Sequence, residues 1–176
     1  GRILADSAEV VGGAGTAAVV SGEAGIGKTR LTEEVVRSGR DAGALVGWGR
    51  CYEQAGAPAF WPWIDALRAL LAQVDDAVVG ELIARLGPEL VAVLPGDAHR
   101  LTEASSLPAI DPADARFRLF NSVTTLLARL AAISPVVVVI DDLHWADRAS
   151  MALVEFLAGH LDTTPVLLMV TARVEY

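Results

Sequence analysis

Apolar residues follow two spacings along the chain, and their alternation predicts the architecture. Apolar runs without alternation dominate 17–21 (AAVVS), 136–142 (VVVVIDD) and 165–173 (PVLLMVTAR), the last two ending in charged residues. The last two lack a polar alternation, which marks strands buried on both faces of a parallel sheet. A further strand is predicted at 44–52 (ALVGWGRCY), although two internal glycines weaken the pattern. The second spacing, three or four residues, predicts helices. It places Leu31 and Val35 on a helix over 29–37, and Ile64, Leu67, Leu70 and Leu71 on one over 62–73 with Pro62 in its first turn. Further helices are predicted at 76–86 and 150–161. A long one follows Asp111 as N-cap and Pro112 as first helical residue, with Asp114 in the first turn and Phe117, Phe120, Val123, Leu127 and Leu130 in register. Pro135 ends it. Pro95, Gly96, Pro108 and paired serines make 95–110 a predicted surface loop. Strands alternating with helices imply an α/β fold, a mainly parallel sheet with helices on both faces.

Composition narrows the function classes. The 176 residues suffice for one domain, and no apolar run approaches the roughly eighteen residues needed to cross a bilayer. A formal net charge of −8, from 22 acidic and 14 basic residues, argues against a broad nucleic-acid footprint. The chain begins at Gly1, and no basic segment precedes an apolar one, so the expectation is a piece of a longer protein without a secretory signal. Cys51 is the single cysteine, expected to be a small buried hydrophobe, and a reducing, cytoplasmic setting follows. Thirteen of the basic residues are arginine; the one lysine is Lys28.

That lysine lies in Gly22-Glu23-Ala24-Gly25-Ile26-Gly27-Lys28-Thr29, which fits the phosphate-loop pattern G-x-x-x-x-G-K-[ST] and has the required strand before and helix after. Each residue type has a reason. Glycines let backbone N–H groups close around a β-phosphate, and the following helix N-terminus adds partial positive charge. Lys28 would reach the β- and γ-phosphates, and the Thr29 hydroxyl would coordinate Mg²⁺. Arg30 completes the predicted nucleotide-binding stretch.

Asp141 and Asp142 end the valine-rich strand, at the C-terminal sheet edge where open α/β sheets take their ligands. A hydrophobic strand ending in acid is the Walker B pattern. Its first carboxylate, Asp141, would hold Mg²⁺, usually through water. Asp142 stands where many ATP hydrolases keep a carboxylate that activates the attacking water; it is one methylene shorter than the glutamate often found there, so slow hydrolysis is expected. Capping or turn roles are the alternative for both.

Three other stretches, "GRCYEQAGAPAFWPWIDALRALL", "DARFRLFNSV" and "DDLHWAD", join the phosphate loop in a wider pattern. Together they resemble the ATPase domain of large bacterial LuxR-type transcriptional regulators. A similar AAA-like module occurs in some bacterial cyclases and kinases, within the STAND branch of P-loop ATPases. The resemblance implies a three-layer P-loop core with strand order 1-4-3-2 and a fifth strand beyond this chain, the strand at 165–172 inserting between the first and third. It places Arg173 like the family's γ-phosphate sensor, with a solvated charge as the alternative, and makes Arg148 a weaker candidate. It sets Arg2 near the adenine, and Glu53 and Gln54 near the catalytic edge. Phe60, Trp61 and Trp63 are expected in the core rather than as a base-stacking platform, and His144 has no companions at metal-ligand spacing.

The expectation is a single core over 1–176 with a helical insertion at 60–110, binding ATP and Mg²⁺ and hydrolysing ATP slowly as a regulatory switch. Lys28, Asp142 and Arg173 are the candidate catalytic residues. Expected partners are ATP or ADP, other domains of the same parent protein and a second copy; direct nucleic-acid and membrane contacts are not expected. A small-molecule phosphotransferase and a weakly active nucleotide-binding scaffold are the alternatives.

Overall fold

A computed structural model describes residues 15–53, 58–84, 86, 90, 112–161 and 164–173. Four strands, β1 (Thr16–Gly22), β2 (Leu45–Arg50), β3 (Val136–Asp141) and β4 (Val166–Arg173), form one sheet in the order β1-β4-β3-β2. All three pairings are parallel. Among the described residues five helices surround it: α1 (Lys28–Asp41), α2 (Trp61–Leu71), α3 (Asp76–Ala84), α4 (Pro112–Ala131) and α5 (Arg148–Ala158). The insertion of β4 between β1 and β3 and the α/β layering are those expected of a P-loop NTPase core.

The central strands follow from their composition. All six residues of β3 are buried, and so are the first six of β4. Side chains alternate between two cores. One face packs Val20, Val137, Val139, Leu167 and Met169 against Val35 and Val36 of α1. The opposite face gathers Val136, Val138, Ile140, Leu168 and Val170 with Leu67, Leu70, Leu127 and Leu157 from α2, α4 and α5. An unalternating valine run is what such a two-sided position requires.

Between β2 and α2, the glycines that weaken the strand pattern have a packing purpose. A Cβ on Gly49 would lie 1.7 Å from the Pro62 carbonyl oxygen, and one on Gly47 would lie 2.4 Å from that of Ala66. Bare backbone therefore lets α2 rest directly on the strand. Because β2 is an edge strand, its Val46 N–H and C=O are unpaired on one side. Gln73 satisfies both, accepting at 3.1 Å and donating at 2.8 Å, which also blocks that edge to another chain.

Elsewhere the boundaries shift. Helix α1 continues beyond residue 37 to Asp41, α3 stops at Ala84, and α5 begins two residues earlier than its periodicity predicts. On α4, Phe120, Val123, Leu127 and Leu130 are buried as expected, whereas Phe117 is 59% exposed and meets the Phe156 ring at a right angle. Trp63 is fully buried, and Phe60 packs edge-on against Phe120, so the core expectation holds for these two rings. Strand β1 differs from the others: Ala17, Val19 and Ser21 are exposed on one face. Arg2, Gln54, Asp111 and the predicted loop at 95–110 lie outside the described residues.

Candidate functional site

The loop between β1 and α1 is exposed from Glu23 to Gly27. Gly25 (φ 79°) and Gly27 (φ 98°) adopt left-handed backbone conformations, which an L side chain would strain. Gly27 is the N-cap of α1, where no side chain caps the helix and no acid occupies the first turn. The first-turn N–H groups are thus left for an external acceptor, and their partial positive charge is not neutralised locally. Lys28 folds back on the loop, its Nζ donating to the Gly22 and Glu23 carbonyls at 2.8 Å each. Thr29 and Arg30 are exposed in the first turn. A phosphate fits this cradle, because the glycine loop and the uncapped helix start offer it backbone N–H donors.

Sheet register sets the rest of the site. Arg173, at the end of β4, pairs with Gly22, where the loop leaves β1. Arg50, at the end of β2, pairs with Asp141, at the end of β3. One edge therefore presents the loop, Arg173, the two aspartates and Arg50 in that order. Arg173 is exposed there.

Asp141 is 2% exposed and held from both sides. Its Oδ1 accepts from Thr171 Oγ1 at 2.5 Å, and its Oδ2 lies 3.8 Å from Arg50 Nε. Thr171 Oγ1 also accepts from the Asp142 N–H at 2.9 Å. Asp142 itself sits in the left-handed region (φ 58°), and its Oδ2 is 3.3 Å from Arg50 Nη2. Asp is among the residues that enter this region most readily. A short 3₁₀ turn, Leu143–Trp145, follows, closed by the Trp145 N–H donating to the Asp142 carbonyl at 2.9 Å.

Asp147 anchors the end of that turn. Its carboxylate caps α5, accepting from the Ala149 and Ser150 N–H groups at 3.0 and 2.9 Å and from Ser150 Oγ at 2.5 Å. It also accepts from the Phe60 N–H at 3.3 Å, across the interface with α2. Phe60 is an aromatic residue at φ 65°, a conformation that persists only when its surroundings impose it. The Asp147 bond and the ring contact with Phe120 supply that constraint. Trp63 Nε1 donates to the Ser150 carbonyl at 3.1 Å, tying the same two helices.

Three of these residues were not visible as contributors from sequence: Arg50, Thr171 and Asp147. The signal for Asp147 was local, an Asp followed at three residues by a helical serine. Arg50 and Thr171 become partners of Asp141 only through sheet register. Cys51, next to Arg50, is buried; burial first, then the charges of Asp147, Asp142 and Asp141, pushes its thiol up to about 12. It is a neutral, unreactive wall. Glu53 is exposed beside it, and Arg148 is exposed as the first residue of α5. Both ring nitrogens of His144 are buried without a hydrogen-bond partner among the described residues. No group of three or more His, Cys, Asp or Glu is arranged to hold a metal among the described residues. Mg²⁺ fits this edge in its usual manner, through one or two carboxylates together with phosphate oxygens and water.

A left-handed glycine loop feeding an uncapped helix, with a buried acid at the end of β3 across the inserted β4 of a 1-4-3-2 sheet, defines a P-loop NTPase core. The AAA ATPase domain family matches residues 2–170, and the chain belongs to that family. It is a nucleotide-binding ATPase domain by that membership. The chain is also 28% identical over 175 residues to an uncharacterized protein of Rhizobium meliloti (strain 1021), covering 95% of this chain. It spans 17% of that relative's length. Among the described residues no helix is long and apolar enough to cross a membrane.

Proposed function

We propose that this chain is an ATP- and Mg²⁺-binding module that hydrolyses ATP slowly and serves as a regulatory switch within a larger bacterial signalling or transcription-regulating protein. The observation that carries the reading is the shared sheet edge, where the Gly22 loop, Arg173 and the Asp141–Asp142 pair stand in adjacent registers. The loop from Gly22 to Arg30 would bind the phosphates through backbone N–H groups and Lys28. Lys28 would leave the Gly22 and Glu23 carbonyls for the β- and γ-phosphates. Thr29 and Asp141 would hold Mg²⁺, which supplies charge to the phosphate oxygens when bound. Asp142 would orient and deprotonate the attacking water.

Adjacent carboxylates favour water over a metabolite as the phosphoryl acceptor. Arg173, opposite Gly22, suits reporting on the γ-phosphate, because a planar guanidinium forms paired bonds to phosphate. The switch reading rests on the resemblance of "DDLHWAD" and "GRCYE" to the LuxR-type STAND domains. The relative's length, of which this chain spans 17%, is consistent with other domains of the same protein as partners. A single core over 1–176, a cytoplasmic location and self-association belong to the same proposal.

The test compares nucleotide binding and phosphate release for the chain, Lys28→Ala and Asp142→Asn. Lys28→Ala is expected to weaken ATP binding by about a hundredfold, the worth of two charge-assisted hydrogen bonds. Asp142→Asn is expected to retain binding and slow turnover by about a hundredfold, the scale of a lost general base. ATP binding by Lys28→Ala equal to the parent's would overturn the site. Phosphate transferred to an added metabolite would replace hydrolysis with a phosphotransferase. Hydrogen exchange with ATP and with ADP reads the switch: protection around β4 that differs between the two, and no longer differs in Arg173→Ala, is the expected result.

A further inference from the structure

Arg50 has no place in the reaction as set out above, yet its guanidinium is the positive charge that both Walker B carboxylates touch. Both strand ends sit in direct register, so their side chains meet on one side of the sheet. Arg50 lies 3.8 Å from Asp141 Oδ2 and 3.3 Å from Asp142 Oδ2. The other Asp141 oxygen accepts from Thr171. Both oxygens of the buried acid therefore have partners before any metal arrives. The partner on the Oδ2 side reaches solvent: the Arg50 side chain is 54% exposed, against 3% for that of Asp141.

We propose that Arg50 is the resident counter-ion of the carboxylate pair, which a divalent cation must displace from Asp141, so that Arg50 sets how strongly nucleotide binding depends on Mg²⁺. The proposal rests on the reading of Asp141 as a metal-holding residue. Two carboxylates bearing one guanidinium present a net single negative charge to an incoming ion; without the guanidinium they present two. Thr171 keeps Asp141 oriented in both states, because its bond goes to the oxygen that Arg50 does not face. Arg50 can retain the closer contact to Asp142 as it releases Asp141, so exchange requires rotation of an exposed side chain and no backbone movement.

The experiment measures ADP affinity by calorimetry in excess Mg²⁺ and in EDTA, and takes the ratio. That ratio cancels any direct contact of Arg50 with the phosphates. Arg50→Ala and Arg50→Gln are each expected to raise it about tenfold, the screened effect of removing a unit positive charge from beside the carboxylates that would hold a divalent ion. Arg50→Gln keeps most of the side-chain stem, so agreement between the two variants assigns the effect to charge. A ratio unchanged or lowered in Arg50→Gln overturns the proposal. Asp141→Asn provides the separate control. If it removes the Mg²⁺ dependence while Arg50→Gln leaves the ratio at the parent's value, the metal site stands and only the role of Arg50 falls; if Asp141→Asn keeps the full dependence, both fall.

Discussion

Between Glu23 and Gly27 every residue is exposed, and among the described residues the side-chain hydrogen bonds to this stretch and to Gly22 come from Lys28. Asp141, two strands along the sheet, is 2% exposed and its carboxylate is held from β2 and β4, while Asp147 just beyond it accepts from α5 and the start of α2. Both regions serve the same proposed ligand. The loop uses backbone N–H groups that a helix start leaves unsatisfied, so it needs little from the rest of the chain. The acidic edge must hold charge where water is scarce, and a buried charge is tolerable only when hydrogen bonds and counter-ions compensate it. The contrast predicts that changes to the acidic edge and its supports cost stability, whereas changes to the loop cost binding.

Gly49→Ala should be the most damaging. Its new Cβ would meet the Pro62 carbonyl at 1.7 Å, forcing α2 away from β2 next to Arg50. A loss of about 3 kcal/mol in urea unfolding is expected, the upper range for overpacking. Asp147→Ala removes the α5 cap and leaves the Phe60 N–H without its acceptor. It should cost about 2 kcal/mol by the same measurement. Thr171→Val keeps shape while removing the hydroxyl between Asp141 and the Asp142 N–H. About 1.5 kcal/mol of stability should go, together with part of the Mg²⁺ dependence of ADP binding. Lys28→Ala is the opposite limit: in the absence of nucleotide its unfolding free energy should stay within about 0.5 kcal/mol of the parent, although ATP binding weakens by about a hundredfold. A Lys28→Ala variant destabilised as much as Asp147→Ala would break the comparison, by giving the loop a structural load.

Much of this was legible before any coordinates. The valine run predicted a strand with two buried faces, and all six residues of β3 are buried. The order of glycines around Lys28 predicted strand, loop and helix, and β1 and α1 flank the loop accordingly. Those are local properties, because hydrophobic periodicity and backbone freedom act within a few residues of the chain. The helix ends were less legible. The periodic apolar residues of α1 and α5 mark the packed part of each helix, while exposed turns extend α1 and start α5 early. Phe117 kept the helical spacing of its neighbours yet reached the rim of the core, where its ring is mostly exposed.

Long-range partners had no local signal. Arg50 and Asp142 are 92 residues apart, and Thr171 and Asp141 are 30 apart. Gly47 and Gly49 read in sequence as interruptions of a strand, whereas in the fold α2 lies directly on them. What the sequence alone determined was the kind of chemistry, a phosphate cradle and an acidic strand end, because each is written in adjacent residues. What only the tertiary structure decided was which charges face one another across the sheet edge. Parallel register brings together residues far apart in the chain, and the desolvation of Asp141 then makes the identity of its neighbours matter.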